Sequence, residues 1–393
     1  MRHTIDEVRN LQGKLTDSVW RKLLKDFNCP VTFVNQKVTT EILGMSQKLH
    51  LTQGTELVVK WACRLAVLTT EEQEAFMGLT RDVMDTMIQH VLNSDSYQYG
   101  FNKVDIQQVY PLAKSNIPTG DVYNRNNIGN RYISLDLAEA AFQVFKHWDE
   151  NHPGHGVDSI LPFEVKTYHD WVQWTMSNEI KPEEGTVKAR LMDIDWSEAV
   201  VDYVCDSKQM RQVIFGKTNP KRIQHVEKWM VQGMVELVQH TALEQGFTIA
   251  DPVRLNNDEA IFKLTPEWNQ VLSHVWYALA DGWHVTEFTL NAQQLEQCVL
   301  LLHEVCRFQG PVVYIKDWKS EYNGRCFMQS PSTYKCLPAK FALGFEALFT
   351  QDETSGTMPN QFFEMPILVE GTLVWNSDNH CEWMLSPIHK TDC

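Results

Sequence analysis

Three segments of this chain hold residue types that could do chemistry together. The first is RYISLDLAEAAFQVF, residues 131–145, where Asp136 ends a run of apolar, strand-forming residues. Strands are depleted in Asp, so a carboxylate at this point asks for a reason. The second is VRLNNDEAIFKL, residues 253–264, with Asp258 and Glu259 at the tip of an expected hairpin. The third lies between them, DSKQMRQVIFGKTNPKRIQHVEKW. Residues 207–230 hold six cations (Lys208, Arg211, Lys217, Lys221, Arg222 and Lys228) against one acid, Glu227. Lys208 and Arg211 stand three apart and therefore share one helical face.

These types suit phosphoryl transfer from a nucleotide. Such chemistry clamps the attacking and leaving oxygens between two divalent ions about 3.5–4 Å apart. Mg²⁺ takes carboxylate, water and phosphate oxygens as ligands. Asp136 and Asp258 are the expected Mg²⁺ ligands, with Glu259 as the adjacent catalytic acid. Lys208, Arg211 and Lys217 are the expected contacts to a nucleoside triphosphate, whose charge calls for cations. Each residue also has an ordinary structural reading. An Asp at a strand-to-helix junction can cap the helix. Asn256-Asn257-Asp258 is favoured turn chemistry. A cationic helix face can simply be solvated.

The order of a strand-end Asp, a basic helix ending in Phe215-Gly216 and a hairpin with Asp258-Glu259 resembles motifs A, B and C of the palm-domain polymerases. It is most similar to the family A DNA polymerases, and ISLDLAEAAF also resembles the first motif of reverse transcriptases. The resemblance spans Arg131 to about Leu264. It implies Mg²⁺-dependent nucleotidyl transfer onto a nucleic acid, with Asp136 and Asp258 on the metals, Glu259 beside them, and Lys208 and Arg211 on the triphosphate. Asn257 stands where family A has His. Ala141, five residues after Asp136, stands where both families carry a bulky or acidic sugar-reading residue. Two other functions fit the same segments: a non-enzymatic nucleic-acid-binding or assembly protein on a degenerate palm scaffold, and a metal-dependent nuclease.

The elements that must position these residues follow from periodicity. Thr16 and Asp17 are candidate N-caps for a first helix, and Thr69 and Thr70 before Glu71, Glu72 and Gln73 form a capping-box pattern for a second. Phe76, Leu79, Val83, Met87 and Val91 then recur at helical spacing. Helices are expected over 137–148 and 207–245, the latter broken near Gly216 to Pro220, and strands at 132–136, within 247–264 and at 284–290. A helix over 292–306 and a hairpin joining Val312–Lys319 to Arg325–Met328 across Asn323-Gly324 complete the reading. The asparagine- and glycine-rich stretch 116–130 reads as a boundary. The expected architecture is α+β: a helical N-terminal region (1–115), a central palm-like antiparallel sheet with helices (116–280) and a C-terminal α+β domain (281–393).

Length and composition exclude several classes. The 393 residues carry 50 acids and 35 bases, a net charge of −15, so a general nucleic-acid coat is disfavoured while a local basic groove is not. Thirteen Trp and eighteen Phe leave much to bury, which excludes intrinsic disorder. No apolar run reaches the roughly 20 residues of a membrane span, and no secretory leader is visible, so a cytoplasmic protein is expected. The nine cysteines are irregularly spaced with no CxxC pair, which favours free thiols. His147, His152 and His155 lack a fourth zinc ligand. Walker, G-x-G-x-x-G and G-x-S-x-G motifs are absent. Aromatics of the last third (Trp268, Trp276, Trp283, Tyr314, Trp318, Tyr322 and Tyr334) read mainly as core or sheet residues, while those beyond residue 312, with Lys316, Lys319 and Arg325, could also face single-stranded bases.

Overall fold

A computed structural model describes residues 3–29, 53–114, 130–152, 158–194, 196–279 and 283–289, a few positions between 33 and 44, and six short strands after residue 313. The expected loop over 116–129 and helix over 292–306 lie outside the described residues. So do the side chains of the aromatics and cations beyond residue 312.

The chain opens with helices α1 (Ile5–Arg9), α2 (Asp17–Asp26), α3 (Gln53–Leu65) and α4 (Thr70–Asn93). Thr16 caps α2 by accepting the Val19 N–H. Thr69 and Glu72 form the capping box that starts α4. A π-helical turn, Ser96–Phe101, and the short α5 (Ile106–Val109) lead to strand β1 (Arg131–Leu137). Five helices follow: α6 (Ala140–Asn151), α7 (Tyr168–Asn178), α8 (Val187–Asp193), α9 (Ser197–Asp206) and α10 (Lys208–Gly216). Then come α11 (Pro220–Glu244), β2 (Arg254–Leu255), β3 (Glu259–Lys263), α12 (Pro266–Leu279) and β4 (Trp283–Thr289). The fold is thus mixed, many helices with a small antiparallel sheet, and no described helix is long and apolar enough to cross a membrane.

The sheet has the order β2-β3-β1-β4, all neighbours antiparallel. Strand alternation puts Ile133 and Leu135 of β1 on one face, with Ala260 and Phe262 of β3 and Val285 of β4. Val231, Met234 and Val238 of α11 and Val271 and Val275 of α12 cover that face. Burying each such side chain contributes about 1.5–3 kcal/mol. Ser134 and Asp136 therefore point to the opposite face.

A second, larger core is helical. It gathers Trp20, Trp61, Phe76, Trp148, Trp171 and Tyr203, and takes residues from both sides of position 116. Ile223 and Val226, near the start of α11, belong to this core with Trp229 and Met230 packed against it, whereas the buried residues from Val231 onward belong to the sheet's core.

Some expected elements differ in detail. The helix after β1 begins at Ala140, because Glu139 takes a left-handed conformation (φ 51°) and ends the extended run. The strand before the 256–258 turn is only Arg254–Leu255. Asn323-Gly324 joins Glu321–Tyr322 to Arg325–Cys326, the register a two-residue loop dictates. Tyr314–Lys316, expected in that hairpin, pairs with Thr333–Lys335 instead.

Candidate active site

Asp136 sits one residue before the end of β1. The β1–β3 register sets it opposite Glu259, and the β1–β4 register sets it opposite His284. These three positions share the sheet face away from the apolar core. The turn between β2 and β3 is fastened to the strand end, where the Leu137 N–H donates to the Asp258 carbonyl at 2.8 Å. Asp258, exposed at the turn, is thereby held beside Asp136.

Both carboxylates line one cavity of about 530 Å³. Its opposite wall is α10, which contributes Lys208, Arg211 and Phe215. Ser207 starts this helix: its hydroxyl accepts the Met210 N–H at 3.1 Å and donates to the Asp26 carbonyl at 2.8 Å. That cap ties α10 to α2 and fixes the height of Lys208. The sheet thus supplies anions and the helix supplies cations, with the cavity between them.

Arg211 is engaged within the site. Its Nη1 lies 3.4 Å from Oε1 of Glu139, and its guanidinium stacks over the Tyr168 ring at 5.3 Å. The second Glu139 oxygen accepts the Tyr168 N–H at 3.4 Å. Glu139 does this from a left-handed backbone that costs a non-glycine residue about 1–2 kcal/mol, strain of the kind that gathers at functional sites.

Two of the expected site residues stand elsewhere. Glu259 does not line the cavity. Its carboxylate accepts the Ser134 hydroxyl at 2.5 Å and the Asn256 amide at 3.4 Å, so it clamps the hairpin rather than facing a substrate. Lys217 is the C-cap of α10, where its backbone N–H meets the last carbonyls and its side chain is exposed outside the cavity. Arg222 of the basic run is a strut: it donates to the carbonyls of Phe101 (2.8 Å) and Val104 (2.5 Å).

The cavity also holds residues that the sequence reading passed over. Glu227 of α11 is buried, and burial together with the charge of Asp258 pushes its carboxyl up to about 7. In the sequence it is the lone acid among the cations of 207–230. Its place at i+4 from Ile223, on the buried stripe of α11, is the signal that could have marked it. His284 is held below the usual imidazole range by desolvation, with Glu139 opposing. Cys205, outside the cavity lining, is a free thiol whose pKa burial raises to about 12, which disfavours a thiolate.

His147 and His152 serve packing. His152 stacks on Trp148 at 4.0 Å, and His147 lies 5.3 Å from the Trp229 ring. His155 lies outside the described residues. Among the described residues no three His, Cys, Asp or Glu side chains gather closely enough to enclose a metal. Compared with known proteins, the chain matches no family model, no curated protein and no solved structure.

Proposed function

We propose that the chain is a metal-dependent nucleotidyltransferase of the polymerase kind, working on nucleoside triphosphates and a nucleic acid through a palm-like sheet. One observation carries the reading. Asp136 and Asp258, distant in sequence, line the same cavity as Lys208 and Arg211, acids on the sheet and cations on the facing helix.

The donor set fits Mg²⁺. Two carboxylates, one near the end of β1 and one in the β2–β3 turn, with no third His, Cys, Asp or Glu gathered on them among the described residues, leave coordination positions for water and phosphate oxygens, the usual Mg²⁺ arrangement. Asp136 and Asp258 would hold the ion, which when bound supplies Lewis-acid stabilisation of charge on the triphosphate. The other roles belong to the chain itself. Lys208, exposed at the start of α10, neutralises phosphate as a point charge. Arg211 offers a planar fork for two phosphate oxygens once it exchanges Glu139 for them. Phe215 gives the same wall an apolar surface, and Glu259 keeps the hairpin in register through Ser134. Rate enhancement then comes mainly from positioning and charge stabilisation.

The test is extension of a labelled primer on a template with Mg²⁺ and nucleoside triphosphates. Asp136→Asn and Asp258→Asn should each lower the rate by about a thousandfold or more while leaving the circular dichroism spectrum unchanged. Extension that survives both changes removes the proposal. Shortening of the strand in place of extension assigns the same carboxylates to a nuclease.

A further inference from the structure

Helix α10 has a second working face. Lys208, Arg211 and Phe215 look into the candidate active site, whereas Gln209, Met210 and Val213 line a separate cavity of about 390 Å³ on the other side. Helices α2 and α4 complete it.

The rim of this cavity is cationic. Arg21 and Lys25 stand one turn apart on α2, about 6 Å along the axis, and Arg81 faces them from α4. All three are exposed, and among the described residues none has a carboxylate partner. The one acid in the lining, Asp26, is already satisfied. It is buried, with the Lys22 ammonium at 2.6 Å and the Tyr203 hydroxyl at 2.8 Å. Three cations with no carboxylate partner among the described residues therefore surround one cavity, Arg21 with its guanidinium over the Phe33 ring at 4.3 Å, on a chain whose net charge is −15. The floor is apolar, made by Met84, Met210 and Val213.

We propose that this cavity seats a strand of nucleic acid, phosphodiesters on Arg21, Lys25 and Arg81 and a sugar or base on the methionine floor. A bare phosphate would use the rim and leave the floor unused, which is why the strand is the better occupant. The proposal rests on the nucleotidyltransferase reading and deepens it, because the strand would cross the back of the helix whose front holds the triphosphate.

The experiment measures binding of a fluorescein-labelled single-stranded 12-mer to the full chain by anisotropy, in EDTA, across a series of NaCl concentrations. Arg21→Glu with Lys25→Glu should weaken binding at least tenfold and reduce the log–log salt slope by about 1.4, at about 0.7 per phosphate contact. Arg81→Glu alone should reduce it by about half that. Replacement by Gln at the same positions gives a smaller loss in the same order and serves where charge reversal perturbs folding. Unchanged affinity and slope in the charge-reversed chain overturn the proposal, as does an absence of oligonucleotide binding. Equal displacement by tripolyphosphate or by polyglutamate of matching charge also overturns it, in favour of a general anion surface. Strand binding that needs Arg21 and Lys25 in a chain that extends no primer keeps the groove and removes the polymerase reading. Primer extension untouched by charge reversal does the opposite.

Discussion

Glu227 shows how much one buried carboxyl can report. Burial, with the charge of Asp258 adding to it, lifts its pKa to about 7 from the ordinary 4.5 of a glutamate. The folded chain therefore binds a proton that the unfolded chain has released between those values. The stability this proton contributes is complete below about 4.5 and is lost as the pH rises through 7. In chelator-treated buffer, urea unfolding should find the native chain about 1–3 kcal/mol less stable at pH 8 than at pH 5 from this group. Glu227→Gln should remove that slope and raise stability at pH 8. An unaltered slope in the variant would show that burial does not raise this carboxyl in the folded chain.

At the scale of elements, α11 is the piece to test. It runs 25 residues from Pro220 and carries Gly233 in its interior. A Cβ added at Gly233 would meet nothing within 4 Å, and the position is exposed. Gly233→Ala should stabilise the chain by about 0.5–1 kcal/mol by restricting the unfolded backbone, measurable as a higher urea midpoint with an unchanged slope. Helices of this kind were legible in the sequence. The Thr16 and Thr69 caps, the break between α10 and α11 and the alternation of β1 are all local, and local signals survive without a fold. The short pairing of β2 with β3 and the placing of Asp136, Asp258, Lys208 and Arg211 around one cavity could be anticipated only as a hypothesis. Glu259, Lys217 and Arg222 show why. Their roles depend on which groups the fold brings within reach: Ser134 for Glu259, a helix end for Lys217, the Phe101 and Val104 carbonyls for Arg222. Glu139 and His284 enter the site for the same reason, through a left-handed residue and a strand register that no spacing rule encodes.

Across the whole molecule, the candidate site lies at the joint between two cores. Asp136 and Asp258 ride on the sheet, whose apolar face packs on α11 from Val231 onward and on α12. Lys208 and Arg211 ride on α10, which is anchored through Met210 and Ile214 in the helical core. One rod, α11, enters both: Ile223 and Val226 in the helical core, Val231 to Ala242 in the other. The distance between the acidic and cationic walls therefore depends on α11 being continuous. Gly233→Pro removes a backbone hydrogen bond at the entry to the sheet core and should cost about 3 kcal/mol or more. The loss should fall unevenly. Hydrogen exchange should show amides of β1 and β3 losing protection while those of α4 and α9 keep theirs, and primer extension should fall even though every proposed ligand is still present. Alanine at the same position should leave both cores protected. A proline variant whose exchange rises uniformly in both cores would mean that the molecule opens as one unit and that α11 does not set the spacing of the two walls.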